Sequence, residues 1–190
     1  MMSKLLFVLL IFLIIPLIVI TLRYRKLYRI YKYTDVATHL GNGLLFQSTL
    51  MAEIKKMDSS NSLALVIIDL DNFGEVNKCY GFNIADNVIK EIAALIVTHV
   101  DIKNVFRQYS KGDEFLIILR DNQENIYGVV EKIRQDIEFN TFSQYKIKIT
   151  ASCGIAYCQV GIDDFNSLIS KVMQVWMDSK SGKKNSIIVK

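Results

Sequence analysis

The stretch Leu63-Ala64-Leu65-Val66-Ile67-Ile68-Asp69-Leu70-Asp71-Asn72-Phe73 decides the fold. From Leu63 to Leu70 the chain is almost unbroken apolar sequence rich in branched residues. That is the pattern of a strand buried on both faces, which reads as the central strand of a sheet. Its carboxylates, Asp69 and Asp71, fall where the run gives way to a turn. A second acidic cluster, Lys111-Gly112-Asp113-Glu114-Phe115, stands at a similar junction. Val105 to Tyr109 and Glu114 to Leu119 are short apolar runs joined through Ser110-Lys111-Gly112-Asp113. They read as a hairpin in which Gly112 supplies an unusual backbone conformation and the carboxylates lie at the tip.

Working outward, Leu44 to Met57 has helical periodicity and leads through the polar loop 58–62 into the strand. Ala85 to Val100 repeats apolar residues at Val88, Ile89, Ile92, Leu95 and Ile96, a helix laying its stripe on the sheet. Val129 to Phe139 and Asp163 to Ser179 are further amphipathic helices. Lys146 to Cys158 alternates and breaks at Gly154, as a strand pair or a bent strand, and Ser186 to Val189 closes as a strand. These elements predict an α+β sandwich, ferredoxin-like or palm-type, with a central antiparallel hairpin and helices covering the sheet.

The 190-residue chain is 51% hydrophobic with one proline, enough for one packed domain plus an appendage. Leu5 to Leu22 carries no charge, and as a helix it would span about 27 Å, close to the hydrocarbon thickness of a bilayer. Pro16 would kink it, which such helices tolerate. No small-residue cleavage site follows, so an uncleaved transmembrane anchor is expected rather than a signal peptide. Lys4 precedes the span, while Arg23, Arg25, Lys26, Arg29 and Lys32 follow it. The positive-inside rule then predicts a single-pass protein of the inner (cell) membrane with its folded domain in the cytoplasm. The formal net charge of +4 loses its excess once that basic flank is set aside, so charge does not indicate nucleic-acid binding.

Cys79, Cys153 and Cys158 have no metal-ligand spacing and read as reduced thiols in or near the core. His39 and His99 stand apart from one another and from any cysteine pair, which argues against zinc. Carboxylates at strand ends instead suit a hard divalent ion that shares its coordination with water and nucleotide phosphate. Asp69 and Asp113 are the expected metal ligands, with the backbone carbonyl of Leu70 as a further oxygen and Glu114 close enough to hold metal or a reacting hydroxyl. Asp71 is expected on the other side of the strand from Asp69.

Ordered motifs in Asp35 to Lys190 resemble the GGDEF domain, the family of diguanylate cyclases. Asp35-Val36-Ala37-Thr38-His39-Leu40-Gly41-Asn42 is similar to its opening motif D-x-L-T-G-L-x-N. Asp69-Leu70-Asp71-Asn72-Phe73, with Asn77, Gly81 and Asp86, is similar to D-[LI]-D-x-F-K-x-x-N-x-x-x-G-H-x-x-G-D. Lys111 to Phe115 stands for the signature, Ser152 to Ala156 for S-[IV]-G-[IV]-A, and Lys180 to Asn185 for A-K-x-x-G-R-N.

The resemblance implies condensation of two GTP into cyclic di-GMP with Mg2+ or Mn2+, on a homodimer in which each domain supplies one GTP. Asp113 and Glu114 would be catalytic, and Asp69, Leu70 and Asp113 would hold the metal. Asn77 and Asp86 would read guanine, while Gly112, Lys180 and Lys184 would contact substrate, the lysines as phosphate clamps. The apolar span, its basic flank and these motifs together predict an anchor at 1–22, a basic juxtamembrane helix or linker with the opening motif at 23–43, and the cyclase-like domain at 44–190.

The chain departs from the family pattern at several positions. Lys111 replaces the first signature glycine, Gly74 a lysine, Phe82 a histidine, Ala85 a glycine and Lys184 an arginine. Tyr109 stands where an arginine is expected, with Arg107 displaced by two, and Ile102 and Val105 replace the charged pair of the product-inhibition motif R-x-x-D. The alternative reading is a catalytically degenerate domain acting as a GTP-binding regulatory or interaction module.

Overall fold

A computed structural model describes residues 2–57, 62–107 and 112–190, without the side chains of residues 2–11 and Ser181. Helix α1 spans Met2–Tyr33 and α2 spans Gly43–Lys55; strand β1, Ser62–Leu70, follows. Then come α3 (Phe73–Tyr80), α4 (Phe82–His99), a 3-10 turn at Ile102–Asn104, β2 (Val105–Arg107) and β3 (Glu114–Asp121). Helix α5 (Gln123–Phe139), β4 (Ala151–Tyr157), α6 (Phe165–Ser181) and β5 (Ile187–Val189) complete the chain.

The sheet order is β2-β3-β1-β4-β5, with only the β4–β5 pair parallel. β1 is therefore the central strand, as its composition predicts, and every residue from Leu63 to Leu70 is buried. Its alternation divides the core into two layers. Ala64, Val66, Ile68 and Leu70 pack with Val88, Ile92 and Ile96 of α4 and Val130, Ile133 and Ile137 of α5. Leu63, Leu65 and Ile67 pack with Phe46 and Leu50 of α2 and Leu168 and Val172 of α6.

Several expectations change. The β2–β3 hairpin is not central; β2 is an edge strand, because local sequence reports a hairpin but not which strand joins its other side. The chain runs through Gly154 as one strand, β4. The glycine is there because α6 lies close: a Cβ at 154 would come within 2.8 Å of Val175 Cγ1 and 3.0 Å of Ile67 Cγ2. Helix α3 was not anticipated; its eight residues are too few to display a periodic stripe. Cys79 is exposed, unlike buried Cys153 and Cys158.

The segment from Leu5 to Leu22 lies inside α1, which continues without interruption past Pro16 to Tyr33. Part of that segment lies outside the residues whose side chains are described. Among the described residues, no helix is long and apolar enough to cross a membrane. From Phe12 to Leu22 the described side chains are exposed.

The opening motif is a joint between helices. Asp35 Oδ1 accepts from Thr38 N at 2.9 Å and Thr38 Oγ1 at 2.6 Å. Asn42 caps α2, accepting from Leu44 N and Leu45 N, while its Nδ2 donates to Lys32 O at the end of α1. His39, at the position of the pattern's glycine, holds φ 60°, a left-handed conformation that costs a non-glycine residue.

Two stability measurements follow from these glycine and left-handed positions. Gly154→Ala is expected to lower unfolding free energy by about 1–3 kcal/mol through overpacking, read from urea denaturation; an unchanged midpoint would mean that α6 is not held at this distance. His39→Gly is expected to raise stability by about 0.5–1 kcal/mol, and a lower midpoint would contradict the cost assigned to its backbone.

Candidate active site

Three strand ends and the last turns of α6 meet at the carboxylates. Asp69 pairs with Glu114 of β3 on one side and with Ser152 of β4 on the other, so these side chains share the sheet face under α6. Asp69 and Glu114 are buried at 2% and 3% exposure. Two α6 residues four apart, and so on one helix face, reach Asp69. Trp176 Nε1 donates to Oδ2 at 2.8 Å, and the Lys180 ammonium donates to Oδ1.

Asp113 precedes β3, and its carbonyl accepts from Leu70 N at 3.2 Å. Burial first, and then the negative charge of Asp69, raise the Asp113 carboxyl above its ordinary value; Lys180 and Arg107 oppose that rise. Two carboxylates that repel one another in a partly dry place favour a bound cation. The donor set, carboxylate oxygen with backbone carbonyls nearby, fits a hard ion such as Mg2+ or Mn2+. Among the described residues, no group of three His, Cys, Asp or Glu side chains is gathered to hold a metal ion. A cation here would take its remaining ligands from backbone, water or phosphate.

Asp71 is not on the opposite side of the strand from Asp69 as expected, since period-2 alternation gives i and i+2 the same face. What separates them is the end of β1 at Leu70. Beyond it, Asp71 turns to β4, accepting from Thr150 Oγ1 at 2.7 Å and Ser152 Oγ at 2.8 Å, and to the loop after α6 through Asn185 N at 3.0 Å. The Arg134 guanidinium, held by Glu131 and Glu138, donates to Asn185 Oδ1. This arrangement fixes the loop carrying Lys184, whose ammonium donates to Asn72 Oδ1 at the start of α3.

Asn77 lies on α3 and exposed Asp86 in the first turns of α4. Gly81 joins the helices with φ 79°, a backbone that favours glycine. A Cβ at Gly112 would meet nothing within 4 Å among the described residues. Its carbonyl accepts from Arg107 Nη2 at 2.8 Å. Lys111 and Tyr109 lie outside the described residues.

Arg107 has more of a place here than its displaced position in the sequence suggests. It pairs with Phe115 across the hairpin, and its guanidinium lies 4.9 Å from that ring centroid. Burial lowers its tendency to stay charged, while the charges of Asp35, Asp113 and Asp86 counteract this. Its Nε and Nη1 are buried without a hydrogen-bond partner among the described residues. Trp176 escaped sequence reading altogether. It stands one helical turn from Lys180, but its partner is 107 residues away.

Asp71→Ala would strand the Thr150, Ser152 and Asn185 donors. A stability loss of roughly 3 kcal/mol is expected from removing a charged acceptor of this kind, measured by urea denaturation. A loss smaller than about 1 kcal/mol would show that the loop is held elsewhere.

Residues 32–186 match the family described as "Diguanylate cyclase, GGDEF domain". "Diguanylate cyclase A" of Treponema denticola is 26% identical over 161 residues, covering 81% of this chain and 43% of that protein. An uncharacterized membrane protein of Staphylococcus saprophyticus is 31% identical over 157 residues, covering 80% of this chain and 43% of its own. The chain thus spans less than half the length of these curated relatives. The crystal structure of the coiled coil and GGDEF domain of DgcB from Caulobacter crescentus, in complex with c-di-GMP, superposes with a TM-score of 0.82. It is 22% identical and covers 90% of this chain and 93% of that one. With its signature hairpin at the edge of a five-stranded sheet and its carboxylates at adjoining strand ends, the chain belongs to the GGDEF domain family.

Proposed function

We propose that the protein condenses two GTP molecules into cyclic di-GMP. The observation that carries this reading is the meeting of Asp69 and Asp113 at neighbouring strand ends, the Asp113 carboxyl raised by burial and then by the charge of Asp69, with Lys180 reaching the same place from α6. In each half-reaction a ribose 3′-hydroxyl attacks the α-phosphate of the GTP on a facing domain and pyrophosphate leaves. One GTP per domain makes a homodimer the working unit.

Asp69, Asp113 and the Leu70 carbonyl would hold Mg2+ or Mn2+, which when bound neutralises phosphate charge. Asn77 and Asp86 supply guanine recognition, the carboxylate accepting from N1 and N2 protons and the amide pairing with the remaining edge. Lys180 and Lys184 approach from α6 and its following loop as phosphate-binding charges, and the Gly112 backbone would contact substrate. Glu114, buried beside Asp69, orients the attacking hydroxyl and takes its proton.

A membrane anchor is the second part of the proposal. The exposed apolar residues from Phe12 to Leu22 on α1, followed by Arg23, Arg25, Lys26, Arg29 and Lys32, suit a single pass through the cell membrane with the catalytic domain on the cytoplasmic side. The S. saprophyticus relative is itself named as a membrane protein.

Full-length protein in lipid nanodiscs, incubated with GTP and Mg2+ or Mn2+, is expected to yield cyclic di-GMP detectable by mass. Asp113→Ala should lower the rate by about 100-fold or more, in line with removal of a group that stabilises transition-state charge. Measurable GTP binding and dimerisation without product would overturn the cyclase reading in favour of a nucleotide-binding regulatory module.

A further inference from the structure

We propose that Trp176 is a positioning residue that makes Asp69 a one-oxygen metal ligand, and that it thereby selects small octahedral cations over calcium. This rests on the reading above that Asp69 holds the metal. The two oxygens of Asp69 are not equivalent. Oδ2 takes the indole N–H of Trp176 at 2.8 Å, whereas Oδ1 takes the Lys180 ammonium. These donors differ in how readily they leave. The indole belongs to a part-buried ring fixed to α6, whose close seat on β4 is set by Gly154. The ammonium ends a flexible chain whose side chain is 36% exposed, and nucleotide phosphate offers it another partner. Arrival of a cation with nucleotide therefore exchanges Lys180 at Oδ1 and leaves Trp176 on Oδ2.

The consequence is chemical. Ca2+ takes six to eight oxygens and readily accepts both oxygens of one carboxylate, while Mg2+ takes six in an octahedron, with single oxygens and retained waters. A carboxylate whose second oxygen is engaged by an N–H is a poorer partner for the larger ion. Glu114 lies on the same sheet face beside Asp69.

The test uses the full-length protein with 3′-deoxy-GTP, which lacks the attacking hydroxyl, and titrates Mg2+, Mn2+ and Ca2+ by calorimetry. In the wild type, Mn2+ should bind about tenfold or more tightly than Ca2+, and Trp176→Phe should narrow that ratio by about fivefold. An unchanged ratio in a folded Trp176→Phe protein, verified by circular dichroism, overturns the inference.

A second measurement needs no tryptophan variant. Trp176 is the only tryptophan in the chain, so its emission should change as Mn2+ or Mg2+ binds with 3′-deoxy-GTP, and Asp69→Asn should abolish that response. An emission that ignores saturating cation overturns the inference. If Asp69→Asn leaves cation affinity itself unchanged, the metal-ligand reading fails as well. If Asp69→Asn removes binding while Trp176→Phe leaves selectivity intact, only the role given to Trp176 fails.

Discussion

The close approach of α6 to β4 over Gly154 is the constraint on which the rest of the site depends. With only hydrogen at that position, Val175 settles against the strand next to Ile67, and the residues that follow it inherit the height of the helix. Trp176 and Lys180 can then reach the end of β1, where Asp69 lies between Glu114 and Ser152. Moving the helix outward by a fraction of an ångström would cost little in apolar burial but would lengthen hydrogen bonds, whose strength falls steeply with geometry. Packing in the core thus sets the electrostatics of the site.

A buried polar arrangement complements that packing. Asp71 ties β4 to the loop beyond α6, and Arg134 holds the same loop from α5 through Asn185. The loop bearing Lys184 is therefore secured at both sides by charge-assisted bonds, which are stronger than neutral ones. Asp69 and Asp71, two residues apart, divide the work: one faces the helix that brings a mobile ammonium, the other fixes backbone. In the acidic pair of Asp69-Leu70-Asp71, one carboxylate takes side-chain donors from α6 and the other holds β4 and the loop after α6.

This division marks how far the sequence could be read. β1 was legible because burial on both faces leaves a continuous apolar record, and α4 because its stripe repeats over eighteen residues. Asp69 and Asp113 were legible as strand-end carboxylates. Sheet order was not, since nothing local distinguishes an edge hairpin from a central one, and so β2 was misplaced. The partners of Asp69 were hidden for a similar reason: Trp176 and Lys180 lie 107 and 111 residues away, and no period links them to β1. Arg107 looked displaced when counted from the signature, yet pairing with Phe115 returns its guanidinium to the Gly112 carbonyl. Spacing along a loop does not report distance across a hairpin.

The same hairpin is joined to the amino-terminal helix by a short physical path. Asn42 binds the last turn of α1 through Lys32 O and Tyr33 O while capping α2. One residue earlier, Gly41 lies against the Phe106 ring, and its carbonyl accepts from Arg107 N at 2.8 Å. Arg107 then reaches Gly112 beside the signature carboxylate. Each step is a direct bond or a contact with no room for a Cβ, so rotation or translation of α1 cannot be absorbed at Gly41 without moving β2. An edge strand is suited to that role, because it has one neighbour to carry with it rather than two. The placement of the hairpin at the sheet edge, the feature least visible in the sequence, is what puts the signature within mechanical reach of α1.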